Sequence, residues 1–429
     1  MLLVDRKLFS ETPQAMNEPE TRIELWKRLL QPSSSELLAE LEAGDLHRIS
    51  WLQALRESWG GELVSVALEL VEARRRAAVK FPLQESLVAD IAGVEQATGA
   101  LTANHKAERF KRLAPPRIHD LCCGIGGDGM ALASAAPTRA YDVSPLRAWM
   151  CGENLREAEQ AADCRCEDVE LLELEGETVH LDPSRREGDL EGRGRGRRAW
   201  AYRDYKPGPD FIRDLLERNP DSAVKLGPGI DVEELPSLKR MEVEFIQESG
   251  RLVQAVLWSG ALVENDGQHT ATLLPGGEQV SGRPGPLTGD SGGRLDRWIA
   301  VPALSLERSG LTGCLCREHG LEEMAPGLGL LTCEGEAPAP WFTSYEVLES
   351  MPWRPRRTAA WLAERDAGVV DVKTRGGAVD PEQARKLLRG KGANHFVVFV
   401  LRLGRKIIAA ICRPPASGQT PGSPVSRSS

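Results

Sequence analysis

The sequence predicts an α/β protein whose central portion is a mostly parallel sheet with helices on both faces. Three observations carry this expectation. From about residue 106 to 275, short apolar runs alternate with helical stretches, the pattern of a parallel sheet covered on both sides. One run, Ile118-His-Asp-Leu-Cys-Cys-Gly-Ile-Gly-Gly-Asp-Gly129, passes from strand through a glycine turn into a helix, Met130 to Ala136. The flanking segments differ in texture, with helical periodicity before the sheet and a compact, basic α/β pattern after it.

Residues 1–105 read as a helical N-terminal region. Apolar residues recur at helical spacing in Ile23-Leu25-Trp26-Leu29-Leu30 and in Leu63-Val66-Ala67-Leu70-Val71. Ser33-Ser34-Ser35-Glu36 marks a helix start and Pro82-Leu-Gln-Glu-Ser a break. This region carries no chemistry of its own and is expected to cap the next domain.

Residues 106–275 form the expected core. Its strands are Arg117–Leu121, Arg139–Asp142, Arg165–Asp168, Val179–Asp182, Ala223–Leu226, Val243–Gln247 and Gln254–Trp258. Residues 276–353 read as a linker and mixed connecting region. It is Gly/Pro/Ser-rich up to Asp296, with a helix near Ala303–Gly310 or Leu311–Gly320. Residues 354–413 form a small α/β module, with strands at Val369–Lys373, His395–Leu403 and Lys406–Cys412 and a helix at Pro381–Leu388. The Pro/Ser/Gly-rich tail, 414–429, is expected to be disordered.

The net charge of −9 hides an asymmetry. Residues 354–413 hold 14 Lys and Arg against 5 Asp and Glu, a surplus of nine positive charges, which leaves residues 1–353 at −19 once Arg427 is counted. A basic module on an acidic body suggests one polyanion-facing surface, the alternative being a solvated basic face. No apolar run reaches the ~18 to 20 residues of a membrane helix. The first residues lack the apolar stretch of a secretory signal. Nine cysteines, two of them adjacent, fit reduced thiols and a cytoplasmic location better than disulfides. Cys314-x-Cys316-x-x-His319 with Cys333 lacks the paired spacing of structural zinc, so no metal is expected.

Acids recur at the strand ends. Gly124, Gly126 and Gly127 let the backbone approach a ligand with no Cβ in the way. Asp120, inside the strand, would repel a pyrophosphate but suits the ammonium of a methionine moiety. Asp142, 22 residues on, is spaced to grip two ribose hydroxyls, and Asp168 to accept from an adenine amino group. These features favour S-adenosylmethionine (SAM) over a nicotinamide dinucleotide, and hence methyl transfer. Cys122 falls in the cofactor turn, where a small buried residue is expected rather than a nucleophile. Asp182, with Pro183 fixing the turn, can accept a hydrogen bond from an exocyclic amine beside the methyl. Arg185 and Arg186 can pair with a phosphate or with the acidic body. The Gly/Arg stretch 187–198 is either a substrate lid or a surface insertion.

Asp120-Leu-Cys-Cys-Gly-Ile-Gly-Gly-Asp resembles motif I of class I SAM-dependent methyltransferases. Further segments are similar to a bacterial methyltransferase family with a C-terminal THUMP-like domain. They are Lys80-Phe-Pro, Gly93-Val-Glu-Gln-Ala-Thr98, His105-Lys-Ala-Glu-Arg-Phe110, Asp182-Pro-Ser-Arg-Arg186, Gly196-Arg-Arg-Ala-Trp200 with Asp204-Tyr205, Val224-Lys-Leu-Gly-Pro-Gly-Ile-Asp231, Gln254-Ala-Val-Leu-Trp-Ser-Gly260, Thr343-Ser-Tyr345, and Val372-Lys-Thr-Arg-Gly376 through Asp380-Pro-Glu. The resemblance spans about residues 65–412 and implies a Rossmann-like core with SAM as cofactor. By the family pattern Asp120, Gly124 and Gly126 line the methionine end, Asp142 the ribose, Asp168 the adenine, and Asp182-Pro183 the methyl acceptor.

By analogy with THUMP domains the resemblance implies an RNA substrate, tRNA or rRNA, modified on a base. Lys373 and Arg375, with Arg385, Lys386, Arg389 and Lys391, would then grip backbone phosphate. One departure stands out. Amino-methylating relatives follow the acidic residue with two prolines and a stacking aromatic, whereas Ser184 and Arg185 follow Pro183 here. Trp200, Tyr202 or Tyr205 could supply the stacking instead. The competing readings are methylation of a small molecule or protein, and a non-catalytic RNA-binding protein with a vestigial SAM site.

Overall fold

The computed structural model describes residues 19–82, 85–158, 162–185, 201–287 and 289–415. Arg186, the stretch 187–198, Trp200 and residues 416–429 lie outside the described residues. The chain divides into two units, residues 1–194 with 203–224, and residues 195–202 with 225–429.

In the first unit the described chain opens with α1 (Pro19–Leu29), α2 (Ser35–Ala43), α3 (Ile49–Trp59) and α4 (Gly61–Ala77). The apolar stripe of α4, Leu63, Val64, Ala67, Leu70 and Val71, is buried with Trp26, Leu29, Leu37 and Leu41. Burying such a stripe stabilises these helices far more than their intrinsic propensity does. The same core includes Ile125 of the glycine turn, so the N-terminal helices support the turn from behind. Then come α5 (Ile91–Gln96) and α6 (Ala100–Leu113). α6 runs across residue 105 and buries Ala103, Lys106, Ala107, Arg109 and Phe110.

The sheet of this unit is built from β1 (Ile118–Leu121), β2 (Thr138–Asp142), β3 (Ala162–Cys166), β4 (Thr178–Leu181) and, after the short pair β5 (Ser184–Arg185) and β6 (Tyr205–Lys206), β7 (Ser222–Leu226). The connecting helices are α7 (Gly129–Ala135), α8 (Pro145–Glu157) and α9 (Pro209–Arg218). The strands pair in parallel in the order β7-β4-β1-β2-β3. The chain steps outward from β1 to β3, then returns to the other side of β1 at β4. That reversal opens a crevice at the carboxyl ends of β1 and β4, where open α/β sheets bind ligands. Every residue of β1 and β4 is buried, as central parallel strands covered on both faces must be.

The second unit begins with β8 (Met241–Glu248), β9 (Arg251–Ser259), β10 (Gln268–Leu274) and β11 (Glu278–Gly282), neighbours in the order β11-β10-β8-β9. Only the β8–β10 pairing is parallel here. β8 buries Glu242 and Glu244 completely, and both are satisfied. Glu244 accepts from Trp258 Nε1 at 2.9 Å and Thr272 Oγ1 at 2.5 Å, and Glu242 from Thr270 Oγ1 at 2.6 Å and the Glu264 amide at 3.0 Å.

A seven-stranded sheet follows. Its elements are β12 (Trp298–Pro302), α10 (Leu304–Arg308), α11 (Thr312–His319), β13 (Glu322–Glu323), β14 (Leu331–Cys333), β15 (Phe342–Pro352), α12 (Pro355–Ala363), β16 (Ala367–Arg375), α13 (Pro381–Leu388), β17 (Asn394–Leu403) and β18 (Lys406–Cys412). The order is β13-β14-β12-β15-β18-β17-β16. Leu362 of α12 and Leu388 of α13 pack on Val370, Phe396, Val398 and Ile411 on one face of this sheet.

Several details differ from the sequence expectations. The stretch expected as linker contains β11, whose Glu-Gln-Val-Ser-Gly offers no apolar run because it is an edge strand. Both alternatives for the helix near residue 310 form, separated by Gly310 at φ 73°. The sheet also continues across residue 354, since β15 pairs with β18 from Val347↔Cys412 to Pro352↔Ile408.

Candidate cofactor and acceptor site

The turn after β1 is set by left-handed backbone. Cys122, Gly124 and Gly126 have φ of 61°, 57° and 87°. Gly124 is the open position, where an added Cβ would meet nothing within 4 Å. Gly127 is the closed one, where a Cβ would lie 2.8 Å from the Thr98 carbonyl oxygen. The turn therefore presents one bare side outward and packs the other on the segment before α6.

Asp142 ends β2 and holds the turn. Its Oδ2 accepts from the Gly124 amide at 3.0 Å and its Oδ1 from the Ser144 amide at 2.9 Å. Burial raises its carboxyl above the ordinary range, while the Ser144 and Gly124 amides oppose that shift. Each oxygen keeps a lone pair for a further donor. Asp182 directly follows β4, half-buried, with its amide donating to Leu121 O at 3.0 Å; Pro183 after it is buried. Burial, then Asp142 and Asp182, and less strongly Asp120, push the Cys122 thiol well up. The acids at these strand ends thus gather around the turn, and Cys122 stays protonated. Asp168 lies beyond β3 and is exposed. It caps a short 3-10 turn, its Oδ1 accepting from the Glu170 amide at 3.0 Å.

Asp120 is fully enclosed, and its Oδ1 lies 2.7 Å from His180 Nδ1. On its other side, His180 Nε2 is 3.2 Å from Lys106 Nζ. An ammonium only donates, so Nε2 accepts and the ring proton sits on Nδ1, directed at Asp120. Lys106 also pairs with Asp128 Oδ1 at 2.6 Å, and Thr98 Oγ1 donates to Asp128 Oδ2 at 2.7 Å. The turn is therefore pinned at both ends, at Asp120 before it and Asp128 after it. Asn154 of α8 adds a third tie, donating to the carbonyls of Ile125 at 2.8 Å and Val88 at 3.0 Å.

Thr98, Lys106, Asp128 and His180 were not singled out by sequence reasoning. One signal was available. Lys106 falls on the apolar stripe of α6 with Ala103, Ala107 and Phe110, and His180 is the polar residue in Thr-Val-His-Leu. A charge on a buried stripe implies a buried partner.

Two of the aromatics expected to stack on a substrate base are enclosed. Tyr202 and Tyr205 are 5% and 2% exposed, so neither offers a free ring for stacking. Tyr205 is taken up by the β5–β6 pairing, Arg185↔Tyr205. On β16, side chains alternate between the two faces. Val370 and Val372 face the α12–α13 side, while Lys373 lies 5.6 Å over the ring of Tyr345 on the other, the side that Arg375 shares by parity. The sheet therefore separates Lys373 and Arg375 from the exposed Arg385, Lys386 and Arg389 of α13 and its C-terminal end. Cys316 and Cys333 are buried thiols, raised by burial to about 12 and about 11. Among the described residues no group of three or more His, Cys, Asp or Glu is placed to hold a metal ion.

A glycine turn at the switch point of a parallel sheet, with acids at the adjoining strand ends, is the arrangement with which open α/β sheets bind nucleotide-containing ligands. Comparison with known proteins specifies it. The chain is 33% identical over 370 residues, 82% of its own length and 98% of the relative's, to an uncharacterised S-adenosylmethionine-dependent methyltransferase of Mycobacterium tuberculosis, strains CDC 1551 and H37Rv. Residues 342–414 match the THUMP domain-like family. A protein of Porphyromonas gingivalis W83, solved as a candidate methyltransferase, shares the fold with a TM-score of 0.66 at 16% identity, over 92% of this chain and 98% of its own. The chain belongs to the SAM-dependent methyltransferase family that carries this C-terminal domain, and SAM is its cofactor. No helix among the described residues is long and apolar enough to cross a membrane.

Proposed function

We propose that this methyltransferase modifies a base of structured RNA, tRNA or rRNA, with Asp182-Pro183 beside the acceptor. The observation that carries the site is the bare side of Gly124, held by Asp142 at the mouth of the β1–β4 crevice. These residues fit the cofactor. Asp142 keeps lone pairs for ribose hydroxyls, Gly124 leaves room for the methionine end, and Cys122 adds a small neutral wall, whereas Gly126, expected at that end too, is packed against Cys151 of α8, 3.0 Å from where a Cβ would stand. Asp120 serves that end from beneath, through charge. Asp168 is exposed at the adenine side. When bound, SAM supplies a methyl already activated by its sulfonium. The protein's task is to hold the acceptor nitrogen in line and keep water out. Asp182, half-buried, can orient an exocyclic amine by accepting from it.

RNA is supported by the THUMP domain-like module and by its excess of nine positive charges. Arg185, Arg186, Lys373 and Arg375 are proposed to meet backbone phosphate. Nine free thiols support a cytoplasmic location. The test is transfer of radiolabelled methyl from SAM to purified tRNA, purified rRNA, a protein extract and a small-molecule extract. Label in tRNA or rRNA, recovered on the base after digestion to nucleosides, supports the reading. Label confined to protein or small molecules overturns it.

A further inference from the structure

The Asp120 carboxylate carries its charge beneath the glycine turn with no cation against it. Among the described residues its one hydrogen-bond partner is His180 Nδ1, on Oδ1 at 2.7 Å, and its Oδ2 is buried without a partner. His180 is held in its neutral Nδ1–H form by Lys106 on the far side of the ring, so it adds no charge. Lys106, 1% exposed, forms its ion pair with Asp128 instead, at 2.6 Å. Arg147 of α8 is likewise engaged by another acid, Asp90, at 2.5 Å. The charge on Asp120 therefore reaches Lys106 only through an uncharged ring, in a site withdrawn from water.

The two forms of the cofactor differ in charge. SAM carries an ammonium, a sulfonium and a carboxylate, a net charge of +1. The demethylated product, S-adenosylhomocysteine, has a neutral thioether in place of the sulfonium and is net neutral. The ammonium and carboxylate are common to both, so a residual negative field under the methionine end discriminates through the sulfonium alone and favours SAM, and at low effective dielectric this acts over several ångströms.

We infer that Asp120, kept from direct neutralisation by the neutral His180 and by the commitment of Lys106 to Asp128, makes the turn select charged SAM over its neutral product and so assists product release. This rests on the turn being the cofactor site. Asp120 acts here as a specificity determinant from below. Asp128 gains a role that its position after the glycines did not suggest, because it occupies the one ammonium that would otherwise cancel the field.

The experiment is calorimetric titration of the full-length protein with SAM and with S-adenosylhomocysteine, at one pH and low salt. Asp120→Asn and Asp128→Asn each remove one charge isosterically and are expected to lower the preference for SAM over product by about three- to tenfold. Thr98→Val removes a hydrogen bond to Asp128 without changing charge, and is expected to weaken both ligands by the same factor. A preference unchanged in both Asn variants overturns the inference, as does a Thr98→Val shift of the same size. If one Asn variant does not fold, as judged by its circular dichroism and melting, the other decides. Asp142→Ala reports on the underlying reading, because unchanged affinity for both ligands would place the cofactor elsewhere and remove the basis of the inference. Loss of both affinities in that variant, with an unchanged preference in the Asn variants, sinks the inference alone.

Discussion

The backbone amide of Gly124 donates to Oδ2 of Asp142 at 3.0 Å, so the acid at the end of β2 holds the glycine of this turn whose side is open. The residue that shapes the turn and the residue proposed to grip the ribose are a single mechanical unit. Asp142→Ala is expected to cost on the order of 1 to 3 kcal/mol of SAM binding, through lost charge-assisted hydrogen bonds and a loosened turn. Calorimetric titration measures this, and full affinity would remove Asp142 from the site.

Gly124 and Gly127 should respond differently to alanine. At Gly124, with φ 57° and open space around an added Cβ, the left-handed backbone costs about 1 to 2 kcal/mol and the new methyl enters the cofactor's space. Stability falls modestly and SAM affinity falls further. At Gly127 the new Cβ meets the Thr98 carbonyl at 2.8 Å, and such overpacking costs about 1 to 3 kcal/mol. Denaturant unfolding with and without SAM separates the two. Equal losses in both variants would contradict the assignment of an open and a closed side.

Asp182→Asn is expected to leave SAM affinity intact and to lower methyl transfer to RNA by about 10- to 100-fold, since it weakens the acceptor for the reacting amine. Steady-state transfer at saturating SAM is the measurement. Normal turnover would take Asp182 out of the chemistry.

Burial is the main cause that raises the Asp120 carboxyl above its ordinary value, with the His180 hydrogen bond opposing it. An acid raised in the folded state favours folding below its unfolded pKa, and that advantage is lost as pH rises through the folded value. Ionising this carboxyl in the folded protein is therefore a stability cost. Asp120→Asn removes it, so the variant gains on wild type as pH rises from about 4 toward 7. Paired melting curves across that range test the sign. A variant that falls further behind with rising pH would show Asp120 to be net stabilising when ionised. The expected gain, set against a loss of SAM preference, would make Asp120 a case of stability yielded to function.

RNA affinity should fall steeply with salt, and the two basic faces of the C-terminal sheet can be separated. Alanine at Lys373 and Arg375 is expected to lower the slope of log affinity against log salt by roughly 0.7 to 0.9 for each phosphate no longer neutralised. Alanine at Arg385 and Lys386, across the sheet, provides the comparison. A change confined to the second pair would move RNA to the α13 face, and no change in either would remove the module from RNA binding.

The sequence by itself determined what local pattern can encode. Left-handed glycines between a buried strand and a helix announce a turn that only a few residue types can make, and acids after short apolar runs mark strand ends. Hence the parallel core, the helices before it and the strands of the C-terminal module were legible, as were Asp120, Asp142 and Asp182 as candidates. Edge strand β11 was not, because its single apolar side chain, Val280, gives no period.

Tertiary structure decided which charges meet. His180 reaches Asp120 because β4 returns beside β1 in the register Asp120↔His180, and Lys106 joins them because the buried stripe of α6 faces that pair. Strand order and register also buried Tyr205, and the alternation of β16 placed Lys373 across the sheet from α13. Hydrophobic periodicity says that a face is buried but not against what. The partner of a buried charge comes from a segment far away in sequence, and the two meet only once the sheet has closed.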